Sequence, residues 1–188
     1  DLHCGGIDNA FPHHTNEIAQ SESYLGHPWC KQWFHVHHLN TAQGKMSKSK
    51  GEFLTVSLLE EKGYDPLAYR FFCLQSHYRK ALVFTWENLD NAATAYQKLI
   101  KRIAALQEND GPVDEAVAKE YREKFLQQLG NDLNTAQGVT LLYDVLKAKT
   151  NDATKRAILA SFDQVLSLSL LEKAAELREK EAAQTAAT

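Results

Sequence analysis

Residues 85–106 read TWENLDNAATAYQKLIKRIAAL, and this stretch decides the fold. Apolar side chains recur in it every three or four residues for about five turns, which predicts a long amphipathic helix. Thr85 is placed to cap its first turn, and the turn residues of 109–112 end the pattern. Other segments of the chain must cover the apolar stripe of this helix, which consists of Leu89, Ala92, Ala93, Tyr96, Leu99, Ile100, Ile103 and Leu106.

Helical patterns continue on both sides of this segment. Asp65 followed by Pro66 predicts a helix start, because aspartate is a preferred N-cap and proline suits the first helical position. The side chains expected to point inward from the helix after Asp114 are Val117, Tyr121, Phe125 and Leu126. In chain order, the predicted helices span 16–24, 57–62, 65 to about 76, 85–106, 114–129, 136–149 and 152–168, with a helix-prone tail at 171–188.

The first 56 residues have a different pattern. Residues 33–39 are aromatic and β-branched and predict a strand, whereas the polar, lysine-containing stretch 40–51 predicts a loop. Residues 53–56 are expected to be extended. The predicted fold is therefore mainly α: residues 1–56 form the end of an α/β domain, 57–170 form an antiparallel α-helical bundle, and 171–188 form the tail.

Composition excludes several classes of protein. Hydrophobic residues make up 44% and charged residues 24%, and the net charge of −3 excludes a broadly basic nucleic-acid coat. No run of 18 apolar residues occurs, so no transmembrane helix is expected. Three cysteines without a C-x-x-C pair argue against a disulfide framework and for a reducing compartment. Because the chain opens with Asp1 in what reads as the end of a strand, we expect that an upstream part is missing.

Chemistry is expected near the beginning of the chain, where seven of the eight histidines lie. His13 and Glu17 are four residues apart at a helix start and share one face, so they form a candidate half-site for zinc. His14 is the rival ligand, and a surface hydrogen bond is the alternative. Gly5-Gly6-Ile7-Asp8 lets backbone amides approach a nucleotide, with Asp8 accepting from ribose hydroxyls. An ordinary strand–turn–helix joint is the alternative for that run.

A second candidate site is the segment Lys45-Met46-Ser47-Lys48-Ser49, which follows Gly44. Two lysines three residues apart can stabilise the negative charge that accumulates on phosphate oxygens as pyrophosphate leaves. Ser47 and Ser49 can donate hydrogen bonds to the same oxygens. The alternative is a solvated lysine loop.

Taken together, these motifs resemble those of cysteinyl-tRNA synthetases. KMSKS is the signature of class I aminoacyl-tRNA synthetases, and it stands here letter for letter. DLHxGGxD at residues 1–8 and FPHHxNEIAQS at 11–21 narrow the resemblance to the cysteine family. Further matching segments, in order, are Trp33-x-His35, Asp65-Pro66 with Tyr69-Arg70-Phe71, His77-Tyr78-Arg79 and Asp132-x-Asn134-Thr135. The resemblance covers residues 1 to about 170.

The resemblance implies a Rossmann-like catalytic domain whose end is residues 1–56, and a stem-contacting, DALR-like helical bundle at 57–170. It implies that His13 and Glu17 hold Zn²⁺ with two cysteines from upstream, and that Lys45 and Lys48 are catalytic. The residues implied to bind ATP or the adenylate are His3, Gly5, Gly6, Asp8, Met46, Ser47, Lys48 and Ser49. Trp33 and His35 are implied, more weakly, to border the substrate pocket.

The implied reaction joins cysteine to tRNA(Cys) with ATP and Mg²⁺, in a cytoplasmic protein that we expect to be a monomer. Because the family's His-Ile-Gly-His segment and both cysteine ligands are not in these 188 residues, we expect the isolated chain to be inactive and to hold zinc weakly or not at all. Cys4 departs from the family, where glycine is usual, and places full nucleotide affinity in doubt. His37 and His38 have no family counterpart; we interpret them as strand or edge histidines, with an H-x-H-H metal site as the alternative.

Three other functions remain open at this point. A ligase with the same catalytic layout joins cysteine to an amino sugar. A non-catalytic helical module would bind tRNA regardless of a Lys48→Ala substitution. A purely structural helical domain would not bind tRNA even at low salt.

Overall fold

The computed structural model describes residues 1–41, 55–108 and 110–186, and the backbone of residues 44 and 45. The chain divides into two compact units. Unit 1 contains Asp1–Phe53 and Tyr78–Thr85, and unit 2 contains Leu54–His77 and Trp86–Thr188. The segment 78–85 therefore groups with the N-terminal residues, although the sequence places it within the helical part.

Two small sheets form unit 1. Strand β1 (Leu2–Gly6) pairs in parallel with β2 (Gln32–Val36), so that Leu2 is opposite Gln32 and Gly6 is opposite Val36. Helix α1 (Thr15–Leu25) lies between them in the chain and confirms the helix predicted at 16–24. It ends at Gly26, whose φ of 73° is a left-handed conformation that glycine adopts readily.

The second sheet of unit 1 has the order β4-β3-β5. Strand β3 (Leu39–Thr41) pairs antiparallel with β4 (Gly44–Lys45) and parallel with β5 (Leu82–Phe84). The predicted loop at 40–51 is thus wrong where Asn40 pairs with Lys45 and Thr41 with Gly44. Strand β5 has no counterpart among the elements predicted from the sequence.

The regular elements among the described residues of unit 2 are all helices. Thr55 caps α2 by accepting a hydrogen bond from the Leu58 amide, so Val56 is helical and not extended as predicted. Asp65 caps α3 through the Leu67 amide, which confirms the predicted start at Asp65-Pro66. The helices are α2 (Val56–Glu61), α3 (Pro66–Leu74), α4 (Trp86–Ala104), α5 (Glu115–Gly130), α6 (Thr135–Lys147), α7 (Asp152–Leu166) and α8 (Leu170–Ala186).

The core of unit 2 is built on the stripe of α4 that the sequence predicts. Seven of the eight side chains of the stripe are buried: Leu89, Ala92, Tyr96, Leu99, Ile100, Ile103 and, just after the helix, Leu106. On α5, in contrast, Leu126 is 63% exposed, so its predicted inward position is wrong. Ala118 and Phe125, which are seven residues apart, form the buried face of that helix.

The end of α7 is held by one carboxylate. Asp163 accepts hydrogen bonds from the amides of Leu168 and Leu170, across a turn in which Ser167 has a φ of 51°. Both leucines are fully buried. Leu170 is the first residue of α8, so its burial and its hydrogen bond to Asp163 fix the position at which α8 begins. Of the helices in the described residues, none has the length and apolar character needed to cross a membrane.

Candidate active site

A cluster of imidazole and indole rings lies on one face of the β1–β2 pair. The register places His3 opposite Trp33 and Gly5 opposite His35, and alternate residues of a strand share a face. Between β1 and α1 the chain turns back through residues 7–14, which brings His14 onto the same face. The ring centroid of His3 lies 4.7 Å from that of His14, 5.0 Å from that of Trp33 and 5.3 Å from that of Trp29.

Glu17, in the first turns of α1, connects two of the histidines. Its Oε2 lies 2.8 Å from Nε2 of His3, and its Oε1 lies 3.2 Å from Nε2 of His13. Oε2 is buried without a hydrogen-bond partner, since the contact with His3 has the distance of an ion pair but not the geometry of a hydrogen bond. A buried carboxylate oxygen beside ring nitrogens supplies donor atoms of the kinds that bind zinc.

His14 is the buried member of the cluster, with 3% of its surface exposed. Its Nδ1 lies 2.8 Å from Nε2 of His35, a hydrogen bond between two rings. Burial, and secondarily the charge of His3, lower the pKa of His14, while Glu17 acts in the opposite direction. The neutral imidazole is the form that binds metals.

The proposed zinc ligands can be compared with these contacts. The sequence predicts His13 with Glu17, and the structure places their side chains 3.2 Å apart. Ligand atoms of His3, His14 and Glu17 also lie within 4.8 Å of one another. His3, expected only to border the adenylate, is therefore an additional donor near Glu17.

The glycine run has a clear steric basis. A Cβ on Gly5 would lie 2.7 Å from Cε1 of His14, and one on Gly6 would lie 2.6 Å from Oδ1 of Asp8. The buried, hydrogen-bonded ring of His14 leaves no room for a Cβ at Gly5, whereas at Gly6 the exposed Asp8 side chain would have to shift. Cys4 is exposed and, by strand alternation, lies on the face opposite His3 and Gly5.

Trp33 and His35, the weakly implied pocket residues, both belong to the ring cluster. Of the lysine segment, the structure describes only the backbone of Lys45, in β4. Met46, Ser47, Lys48 and Ser49 lie outside the described residues. Sequence reasoning missed Trp29, the His14–His35 hydrogen bond and an ion pair between His38 and Asp8. The register of β1 against β2 places His35 and His38, whereas His14 and Trp29 lie outside the two strands and reach the cluster through the segments before α1 and after it, and the sequence specifies neither arrangement.

Comparison with known proteins identifies the family. Residues 1–94, half of the chain, match the model of the tRNA synthetases class I (C) catalytic domain. The chain belongs to this family. The match begins at β1 and extends into α4, so the class I (C) segment includes the whole ring cluster and the lysine segment.

Curated relatives carry the same family's name. Cysteine–tRNA ligase of Borreliella burgdorferi is 38% identical over 186 residues, covering 92% of this chain and 39% of the relative. Cysteine–tRNA ligase 1 of Burkholderia lata is 40% identical, covering 92% and 36%. Cysteine–tRNA ligase of Novosphingobium aromaticivorans is 41% identical, covering 92% and 37%. The chain therefore spans less than two fifths of the length of these relatives.

Proposed function

We propose that this chain is a portion of a cysteine–tRNA ligase. In the first step the carboxylate of cysteine attacks the α-phosphorus of ATP, and pyrophosphate leaves. In the second step a hydroxyl of the terminal tRNA ribose attacks the carbonyl of cysteinyl-adenylate, and AMP leaves. The observation that carries the proposal is the family match over residues 1–94, together with three relatives of that name.

The two units suggest a division of roles. Parallel strands β1 and β2 support the reading of residues 1–56 as the end of a Rossmann-like catalytic domain with its lysine loop. Residues 57–170 would form the bundle that contacts the tRNA(Cys) stem, with 171–188 as its tail. The close approach of Gly138, near the start of α6, to Phe125 and Leu129, near the end of α5, supports an antiparallel arrangement of these two successive helices. We further propose a cytoplasmic monomer.

We propose that His13 and Glu17 bind zinc at the ring cluster. The donor set fits, since imidazole nitrogens and a carboxylate oxygen are zinc ligands and Oε2 of Glu17 is buried without a hydrogen bond. Zinc bound there would supply a Lewis acid that prefers the thiolate of cysteine to the hydroxyl of serine. Glu17 orients its neighbours through contacts with both His3 and His13.

The remaining roles concern ATP and its Mg²⁺. Lys45 and Lys48 would stabilise the charge on the departing pyrophosphate, with Met46, Ser47 and Ser49 around the phosphates. His3, Gly5, Gly6 and Asp8 would border the adenylate, and Asp8 is 52% exposed at its side chain, so a ribose can reach it. Trp33 and His35 would form part of the wall beside the cysteine side chain.

Pyrophosphate exchange tests the proposed function. The full product of the gene that carries these 188 residues is expected to exchange pyrophosphate into ATP with cysteine and not with serine. The 188-residue chain alone is expected to show no exchange. Exchange by the isolated chain at the full enzyme's rate would contradict the proposal that it is a portion, and exchange driven by serine would contradict the substrate. Attachment of cysteine to an amino sugar but not to tRNA would select the alternative ligase.

Zinc titration of the chain by calorimetry tests the ligand assignment. We expect weak binding, and Glu17→Gln and His13→Ala should each lower the affinity at least about tenfold, because each removes a ligand. Glu22→Gln, on the same helix, is the matched control. If His14→Ala weakens binding more than His13→Ala does, the ligands are His3, His14 and Glu17, and the assignment of His13 is wrong.

A further inference from the structure

An ion pair outside the ring cluster lies at the edge of the β1–β2 sheet. Nε2 of His38 is 3.1 Å from Oδ1 of Asp8. The strand register explains this contact: Gly6 and Val36 are opposite each other at the ends of β1 and β2, and Asp8 and His38 each follow by two residues. Because the strands are parallel, both residues lie at their carboxyl ends, where open α/β sheets bind ligands.

The backbone around His38 is fixed on both sides. The amide of His37 donates to the carbonyl of Tyr78 at 2.9 Å, and the amide of Leu82 donates to the carbonyl of His38 at 3.4 Å. Gly6 adds a steric constraint, since a Cβ there would lie 3.0 Å from Cε1 of His38 and 2.6 Å from Oδ1 of Asp8. The imidazole ring of His38 and the carboxylate of Asp8 therefore both lie close to Gly6.

Stability alone does not account for this pair. The side chains are 31% and 52% exposed, and ion pairs with such exposure contribute at most about 1 kcal/mol to folding. The same exposure leaves the carboxylate accessible to a ligand. A carboxylate offers about four lone pairs, so Asp8 can accept from His38 and from ribose hydroxyls together.

We propose that His38 is a positioning residue for ribose recognition: the contact of its Nε2 with Oδ1 orients the Asp8 carboxylate toward the 2′- and 3′-hydroxyls of the nucleotide. This inference rests on the proposed function, in which Asp8 borders the adenylate. His38 also directly precedes β3, whose Asn40 pairs with Lys45 at the start of the lysine segment. It thus connects, along the backbone, the ribose end of the site with the phosphate end.

Binding of ATP and of 2′,3′-dideoxy-ATP to the full product of the gene that carries these 188 residues, followed by calorimetry, tests the inference. Wild type is expected to prefer ATP, and His38→Phe should weaken ATP binding about fivefold without changing dideoxy-ATP binding, so that the preference is lost. His38→Gln should retain the preference, because its amide can donate to Asp8. His37→Phe is the matched control, since His37 is the exposed neighbour. Circular dichroism verifies that each variant folds.

The contrary outcomes are distinguishable. If Asp8→Asn abolishes the preference but His38→Phe leaves it intact, the positioning role is overturned and the nucleotide site survives. If His38→Phe weakens both nucleotides equally, the residue acts on the fold and not on the ribose, which also overturns the inference. If wild type binds no ATP or shows no preference, the proposed nucleotide site at Asp8 is wrong, and the role of His38 is overturned with it.

Discussion

Phe162→Ala is expected to lower the free energy of unfolding of the helical unit by about 3–5 kcal/mol. Phe162 on α7 is fully buried, and its ring stacks on that of Phe125 on α5 with centroids 4.1 Å apart and planes 12° apart. Truncation removes the apolar area, leaves a cavity and ends a stacking contact that contributes about 0.5–1.5 kcal/mol of its own.

Relaxation around this cavity is limited by three helices. Phe125 is itself 3% exposed, and Gly138 of α6 approaches it so closely that a Cβ there would lie 3.1 Å from its ring. A shift of the Phe125 ring into the cavity would open a gap at this contact with Gly138, so we expect the loss to lie toward the upper end of the range.

Urea unfolding followed by the helical circular dichroism signal measures this effect. Val165→Ala is the matched control, because Val165 lies on the same helix and is 52% exposed, and its loss should be about 0.5 kcal/mol or less. Equal losses for the two variants would contradict the placement of Phe162 in the core of unit 2.

The helix α4 shows what the sequence specifies well. The apolar residues of its stripe, from Leu89 to Ile103, recur every three or four positions, so local spacing alone predicts both the helix and its buried face. Leu126 on α5 shows the limit of the same reasoning. Two faces of that helix carry apolar residues, and the stacking of Phe125 on Phe162, a partner 37 residues away, decides which face is buried.

The candidate site likewise contains contacts that local sequence spacing predicts and contacts that it does not. The i, i+4 spacing of His13 and Glu17 predicts their contact, because a helix brings such residues together. The contacts of His14 with His35 and of Asp8 with His38 join residues 21 and 30 positions apart. The register of β1 against β2 brings Asp8 and His38 together, and the turn through residues 7–14 adds His14 to the face that carries His35, so both contacts depend on packing beyond the local sequence. Strand β5, three residues long, has too short a pattern to be predicted and exists through its pairing with β3.

Lys48→Ala is expected to lower kcat for pyrophosphate exchange by about 10²–10³-fold in the full-length enzyme proposed above. The physical reason is the location of charge: negative charge accumulates on the β-phosphate oxygens as the bond to the α-phosphorus breaks. An ammonium group placed there stabilises the transition state more than bound ATP, so kcat falls. The KM for cysteine should change little, because the amino acid carboxylate is at the opposite side of the α-phosphorus.

Lys50→Ala is the matched control for this prediction, since Lys50 belongs to the same polar segment but stands outside the Lys45/Lys48 pair. Similar kinetics for the two variants would favour a solvated lysine loop. Lys48→Arg retains the charge but changes its shape and hydration, so it separates the need for a cation from the need for a compact ammonium group.

If the two lysines act as a unit on one leaving group, the double variant Lys45→Ala/Lys48→Ala will lose less than the product of the single losses. Multiplicative losses would instead show that each lysine contacts the phosphates independently, in which case the pair is two separate sites and not a clamp.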